Sequence, residues 1–313
     1  MLVVIALGGN ALAPRGEPLE IEQQRVRVRA AAHAVAEVAR RNDVVITHGN
    51  GPQVGLLALQ ADAVGGSGAT PLDVLDAESE GMIGYLIDQE LMNVLPGRDV
   101  ATLLTQVEVD PHDPAFETPT KPIGPIYDEE QAHVLEAERG YRFQQRGRDF
   151  RRVVASPAPR DIRELNTIQL LVNQGVIVVC AGGGGIPVVR DAAGGLRGVE
   201  AVIDKDRCAA LLAMRLGASH LLLLTAVDAV YADWPEPAQR AIRRGSARAF
   251  EAFEFDPGSM GPKLEAARRF ARSGGTAGIG ALPDAARILD GRAGTLVVPG
   301  DEPLAYHQPL AAG

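Results

Sequence analysis

Residues 2–10 read LVVIALGGN and residues 44–52 read VVITHGNGP. Each is a short apolar run that breaks into a glycine-containing loop. Runs this brief, rich in Val, Ile and Leu with no polar alternation, suit strands buried on both faces of a parallel sheet. The same phrase recurs. Val176–Cys180 runs into Gly182 to Gly185, and His220–Thr225 follows a helical stretch. Ala101–Val109, Gly278–Ala281 and Thr295–Val298 read as further strands. Amphipathic segments fall between them: Leu19–Arg41, Gln53–Ala63, Ser79–Leu95, Asp161–Gln174, Asp206–Leu216 and Pro262–Ser273. Strands alternating with helices predict βαβ units and a mainly parallel open sheet covered on both faces. In such sheets ligands bind at the C-terminal strand ends, where the glycine loops fall here. Glycine there lets backbone N–H groups approach an anion closely.

The chain has 313 residues, enough for one large domain or two. It carries 31 Lys and Arg against 40 Asp and Glu, a net charge of −9 that argues against a nucleic-acid or membrane-surface binder. The six-residue run Leu2–Leu7 lacks a basic leader and is read as a strand, not a signal peptide. Cys180 and Cys208 form neither a disulfide framework nor a metal spacing, so a cytoplasmic setting is expected.

Only three of the 31 basic residues are lysines: Lys121, Lys205 and Lys263. Each lies in a motif: TPTKPIGP, VIDKD and GSMGPK. Where Arg is the general surface cation, a lysine held in a loop suits a compact charge pressed against a phosphoryl oxygen. Gly8-Gly9-Asn10 and His48-Gly49-Asn50-Gly51 pair two amide-rich loops, each with an Asn donor, for a small oxyanion. Neither is a P-loop or a dinucleotide fingerprint. His48 is read as structural, since transfer to an existing anion removes no proton. Gly182 and Gly183 are read as phosphate-facing. In VIDKD, Asp206 is placed to orient a lysine. Tyr231 could cover an adenine ring, and Gly258 to Lys263 opens a helix that could cradle a nucleotide phosphate. The Pro-rich stretch from Asp110 and the charged one from Asp128 to Arg152 read as an exposed excursion at residues 110–152, a small lid with Lys121 at its base.

These residues together resemble carbamate kinase, in the amino-acid kinase superfamily. The resemblance rests on LGGNAL (7–12), HGNGPQVG (48–55), EGMIGYLIDQEL (80–91), DPAFETPTKPIGPIY (113–127), RRVVASPAPRDI (151–162), CAGGGGIPV (180–188), GVEAVIDKD (198–206), LTAVDAVY (224–231) and GSMGPKLEA (258–266). It implies one three-layer α/β/α domain over residues 1–313, with a sheet of about eight mainly parallel strands and a protruding lid. It implies Mg²⁺-dependent phosphoryl transfer between ATP and carbamate, giving ADP and carbamoyl phosphate, often run toward ATP, in a homodimer. By matching motif it assigns Lys205 and Lys263 to the phosphoryl group in transit, Asp206 to organising those two lysines, and Lys121, reaching in from the lid, to the carbamate and phosphoryl oxygens. It puts Gly8, Gly9, Asn10, Gly49, Asn50 and Gly51 around the carbamate and γ-phosphate site. Thr225, Asp228, Tyr231, Met260 and Gly261 go around the nucleotide. The metal is expected on the nucleotide phosphates. Ala226 departs from the Asp or Gly of several relatives in that motif. The competing readings are another acyl-phosphate-forming kinase and a non-catalytic nucleotide binder; the first would want a lysine in the first glycine loop, and the second would have lost one of the four charged residues.

Overall fold

The structure is a computed structural model that describes residues 1–9, 20–64, 70–234, 236, 238–253 and 260–308. Asn10, Gly258 and Ser259 lie outside the described residues. In chain order the strands are β1 (Leu2–Leu7), β2 (Asp43–His48), β3 (Val100–Leu103), β4 (Gln106–Val109), β5 (Lys121–Pro122), β6 (Arg142–Arg146), β7 (Asp149–Val154), β8 (Pro159–Ile162), β9 (Ile177–Cys180), β10 (Ile186–Arg190), β11 (Leu196–Gly198), β12 (His220–Thr225), β13 (Val230–Ala232), β14 (Arg240–Ser246), β15 (Thr276–Ala281), β16 (Thr295–Val298) and β17 (Ala305–Tyr306). The helices are α1 (Ile21–Ala39), α2 (Gly51–Val64), α3 (Leu72–Val94), α4 (Glu129–Arg139), α5 (Leu165–Asn173), α6 (Lys205–Arg215), α7 (Met260–Arg272) and α8 (Ala285–Leu289).

One ten-stranded sheet forms the centre, in the order β13-β14-β16-β15-β12-β1-β2-β9-β3, with β17 paired to β14. The six strands from β15 to β3 are parallel, and β16 runs antiparallel to β15. The sheet is therefore larger and more mixed than the expected eight strands, because β13, β14 and β17 add an edge beyond β16. Alternation along each strand divides the core in two. Val4, Ala6, Leu221 and Leu223 pack with α6 and α7 side chains such as Leu212 and Phe270. Val3, Ile5, Leu7, Leu222 and Leu224 pack on the other face with Val28 and Val35 of α1 and Ile83 and Leu91 of α3. This is the predicted three-layer sandwich. Period-two alternation with apolar residues on both faces forces helices onto both sides.

The segment expected as one strand, Ala101–Val109, is two. β3 pairs with β9 in the large sheet, whereas β4 joins a four-stranded sheet in the order β11-β10-β4-β8. Thr105 makes the break. Its N–H donates to Glu80 Oε2 at 3.1 Å, and its hydroxyl donates to Leu103 O at 2.8 Å and accepts from Ala181 N at 2.9 Å. The helix expected from Asp161 starts at Leu165, because β8 takes residues 159–162. α3 starts at Leu72, seven residues before the expected Ser79, with Pro71 at its N-cap and Leu72 and Leu75 buried.

The excursion holds its own sheet, β5-β7-β6, and α4. Asp128 and Gln131 form a capping box at the start of α4, and Gly140 ends it in the left-handed conformation. Ile123 and Val154 root the excursion among Val54 and Ala58 of α2 and Leu72 and Leu75 of α3. A Cβ on Gly55 of α2 would lie 2.0 Å from Gly124 Cα, so only glycine lets helix and excursion meet there.

Candidate active site

β1, β2 and β12 end level: Leu7 is in register with His48 on one side and Leu224 on the other. The turns that follow are pinned to neighbouring strands. Gly8 N–H donates to Leu224 O and Gly49 N–H donates to Leu7 O, both at 3.0 Å. A Cβ on Gly49 would stand 2.8 Å from Gly9 N. The two loops thus meet backbone to backbone, beside Asn50 and Gly51 at the start of α2.

All three lysines converge on the first turn of α6. Asp204 is its N-cap, and its Oδ1 accepts from Asp206 N at 3.0 Å and Arg207 N at 3.2 Å. The other oxygen, Oδ2, accepts from Lys121 Nζ at 2.7 Å. Asp206 takes the remaining two: Lys205 Nζ at 2.8 Å from Oδ1 and Lys263 Nζ, from the first turn of α7, at 2.8 Å from Oδ2. Lys205 and Asp206 are buried. Burial alone would raise the Asp206 carboxyl, but the two ammonium groups outweigh it and hold it well below its ordinary value. Burial pulls Lys205 below the ordinary lysine value despite Asp206, with Lys263 adding to the fall. Burial also acts to lower Lys263, yet its pairing with Asp206 leaves it raised. Asp204 is held low by Lys121 against its own burial. Three lysines against two aspartates leave one net positive charge at a helix N-terminus, a cradle for an anion.

Beneath the loops lies a buried polar layer contributed by α3. Glu80 Oε1 accepts from Gly182 N at 2.8 Å while Oε2 accepts from Thr105 N. Burial pushes Glu80 up to about 8, with those two N–H donors opposing the rise. His48 is buried, lies against Gly182, and is lowered to about 4 by burial. It is neutral at ordinary pH, which agrees with a structural role. Asn50 Nδ2 donates to Asp76 Oδ1 at 3.0 Å and to Ser79 Oγ at 2.8 Å. Gly182 and Gly183, read as phosphate-facing, sit against His48 and Asn50 on the β2 side, and the Gly182 N–H is given to Glu80.

On the other side, Thr225 ends β12. The Tyr231 hydroxyl donates to Asp228 at 3.0 Å, and its ring lies 5.7 Å from that of Trp234, which is exposed. Met260 and Gly261 open α7. Reading the sequence found the lysines and Asp206 but missed Asp204, Asp76, Ser79 and Glu80. Asp204 had a visible signal, an Asp just before a helix. The other three look like ordinary helix polar residues in sequence, and only their burial marks them.

The model of the Amino acid kinase family matches residues 1–279. The chain is 50% identical over 311 residues to the carbamate kinase of Rhizobium meliloti, covering 98% of this chain and 96% of that one. It is 51% identical over 309 residues to that of Haemophilus influenzae, covering 98% and 100%. Among solved structures, carbamate kinase from Giardia lamblia bound to AMP-PNP superposes with a TM-score of 0.88 at 38% identity, covering 96% of this chain and 98% of that one. With this similarity spanning the sheet, the excursion and the lysine cluster, the chain belongs to the amino acid kinase family and, within it, to the carbamate kinases.

Proposed function

We propose that the chain transfers a phosphoryl group reversibly between ATP and carbamate, giving ADP and carbamoyl phosphate, and that it works mainly toward ATP. The observation that carries the reading is the convergence of Lys121, Lys205 and Lys263 on Asp204 and Asp206 at the start of α6. A carbamate oxygen forms a bond to the γ-phosphorus as the bond to the β-bridging oxygen breaks, and ADP leaves with that electron pair. Both reactants are anions, so the chain's task is to position them and neutralise charge. Lys205 and Lys263 hold the phosphoryl oxygens in transit, and Asp206 sets their spacing. Lys121 swings from Asp204 to the oxygens of carbamate and phosphoryl. No base is needed, which suits a His48 held neutral by burial.

Gly8, Gly9, Asn10, Gly49, Asn50 and Gly51 line the carbamate and γ-phosphate site, with Gly182 and Gly183 facing the nucleotide phosphates. Thr225, Asp228, Tyr231, Met260 and Gly261 surround the nucleotide. Among the described residues no three His, Cys, Asp or Glu side chains gather to hold a metal ion, and Asp204 and Asp206 are engaged by lysines. That donor set fits Mg²⁺ entering on the nucleotide phosphates, as part of the substrate, where it neutralises their charge. Residues 110–152 act as the lid that keeps water from carbamate.

The chain pairs with a second copy. Tyr85 and Met92 on α3 and Leu104 beyond β3 are exposed at the sheet edge, the kind of apolar surface a dimer covers. A cytoplasmic setting fits the two buried, unpaired thiols. No described helix is long and apolar enough to cross a membrane. The test is ATP formation from ADP, Mg²⁺ and carbamoyl phosphate, with acetyl phosphate and N-acetylglutamyl phosphate as comparison donors. Selective turnover of carbamoyl phosphate is expected; selective turnover of another donor, or of none, would overturn the reading.

A further inference from the structure

The polarity of Asn50 differs from what its place in a glycine loop suggests. An Asn beside an oxyanion pocket is expected to offer its N–H groups. Here both hydrogens of Nδ2 are spent on α3, one on Asp76 Oδ1 and one on Ser79 Oγ. The orientation of the carboxamide is fixed by Ser79, whose hydroxyl hydrogen goes to the Asp76 main-chain carbonyl at 2.9 Å. Ser79 Oγ can then only accept from Asn50, so the amino end of the carboxamide must face it. Burial holds the Asp76 carboxyl well above its ordinary value. Its Oδ2 has no hydrogen-bond partner, so a proton taken up there leaves Oδ1 accepting from Asn50 as before. Gly183 closes the other side. A Cβ there would fall 2.2 Å from Asn50 Nδ2 and 2.6 Å from Oδ1, so the carboxamide lies flat against the glycine. Among the described residues, the one side-chain polar atom of Asn50 left without a hydrogen bond is Oδ1, an acceptor.

We propose that Asn50 is a specificity-determining residue whose Oδ1 accepts a hydrogen bond from the amino group of carbamate, while the backbone N–H groups and lysines hold the carboxylate end. This rests on the functional reading above and sharpens it. The nitrogen of carbamate is conjugated with its carboxylate, so it donates and does not accept. Acetate has the same carboxylate but puts a methyl group in that place. It would leave the Asn50 acceptor buried without a partner, and a polar site rejects an analogue that lacks the matching group more strongly than an apolar site rejects an added one. Asp76 and Ser79 act through Asn50 as positioning residues.

The test compares kcat/KM for ATP formation from carbamoyl phosphate and from acetyl phosphate in the wild-type protein, Asn50→Ala and Ser79→Ala. The expected result is a wild-type preference for carbamoyl phosphate that falls at least about tenfold in Asn50→Ala, because the carbamoyl phosphate value drops far more than the other. Ser79→Ala, which leaves the carboxamide with one anchor, should lower the ratio by a smaller factor, and it carries the test if Asn50→Ala fails to fold. Parallel loss with both donors, or an unchanged ratio, would overturn the assignment, since a merely structural Asn50 moves both values together. Wild-type protein inactive on carbamoyl phosphate would instead overturn the functional reading beneath it.

Discussion

Lys121 Nζ lies 2.7 Å from Asp204 Oδ2, joining the base of the excursion to the N-cap of α6 across 83 residues of sequence. The same carboxylate closes the first turn of the helix with its other oxygen. One side chain therefore sets both where α6 begins and where the third lysine waits. The two tasks separate by substitution. Asn caps a helix as well as Asp does, so Asp204→Asn should stay within about 1 kcal/mol of wild-type stability. It loses the charge that parks Lys121, and turnover should fall by roughly tenfold or more through misplacement. A thermal melt and a kcat measurement check both halves. Full turnover in this variant would mean that Asp204 is only a cap.

Lys121→Arg should also be damaging, with kcat reduced at least about tenfold, because a planar fork does not replace a point charge at a crowded phosphoryl group. Near-wild-type turnover would place Lys121 away from the reacting oxygens.

Gly55→Ala probes the seat of the excursion. Its methyl group would fall 2.0 Å from Gly124 Cα, against backbone that has no soft side chain to yield. Forcing atoms into such a contact costs about 1–3 kcal/mol. The expected outcome is a lower melting temperature together with reduced turnover, as the excursion carrying Lys121 shifts outward. Unchanged melting and turnover would show that the contact yields freely.

Glu80 gives the protein a pH-dependent stability. Its carboxyl is raised from 4.5 to about 8 by burial, so the folded state holds a proton that the unfolded chain has released. This contribution is full below about pH 4.5 and is lost as pH rises toward 8, at a slope of at most about 1.4 kcal/mol per pH unit. In Glu80→Gln that contribution to the slope should disappear between those limits, while the buried Asp76 and His48 keep theirs. The variant should also be less stable overall at low pH, since Gln has one acceptor for the two N–H groups of Thr105 and Gly182. Denaturant melts of both proteins from pH 5 to 8 give the comparison. Parallel stability curves would contradict a buried, proton-holding Glu80.

The layers of the fold were legible in sequence because the strands that matter are apolar on both faces. Val3, Ile5 and Leu7 turn to one helix layer while Val4 and Ala6 turn to the other. The break at Thr105 was not legible, since it depends on Glu80 and Ala181, 25 and 76 residues away. The extra edge strands were missed because β13 and β17 are short and β14 is Arg-rich, and they are held by pairing rather than by apolar pattern. The lysines stood out by rarity. Asp204 was visible as an Asp before a helix, but its pairing with Lys121 was not, because the two lie 83 residues apart. The polarity of Asn50 could not be read either; it is set by which atoms of α3 face it after folding.

In the proposed reaction Lys205 and Lys263, spaced by Asp206, carry the charge of the phosphoryl group in transit. The most direct measurement is kcat for ATP formation from ADP and carbamoyl phosphate in Lys205→Ala and Lys263→Ala, each shown by thermal melt to be folded. Loss of a charge contact made in the transition state predicts a fall of about 10²-fold or more in each. Folded variants that keep turnover within a few-fold of wild type would contradict it.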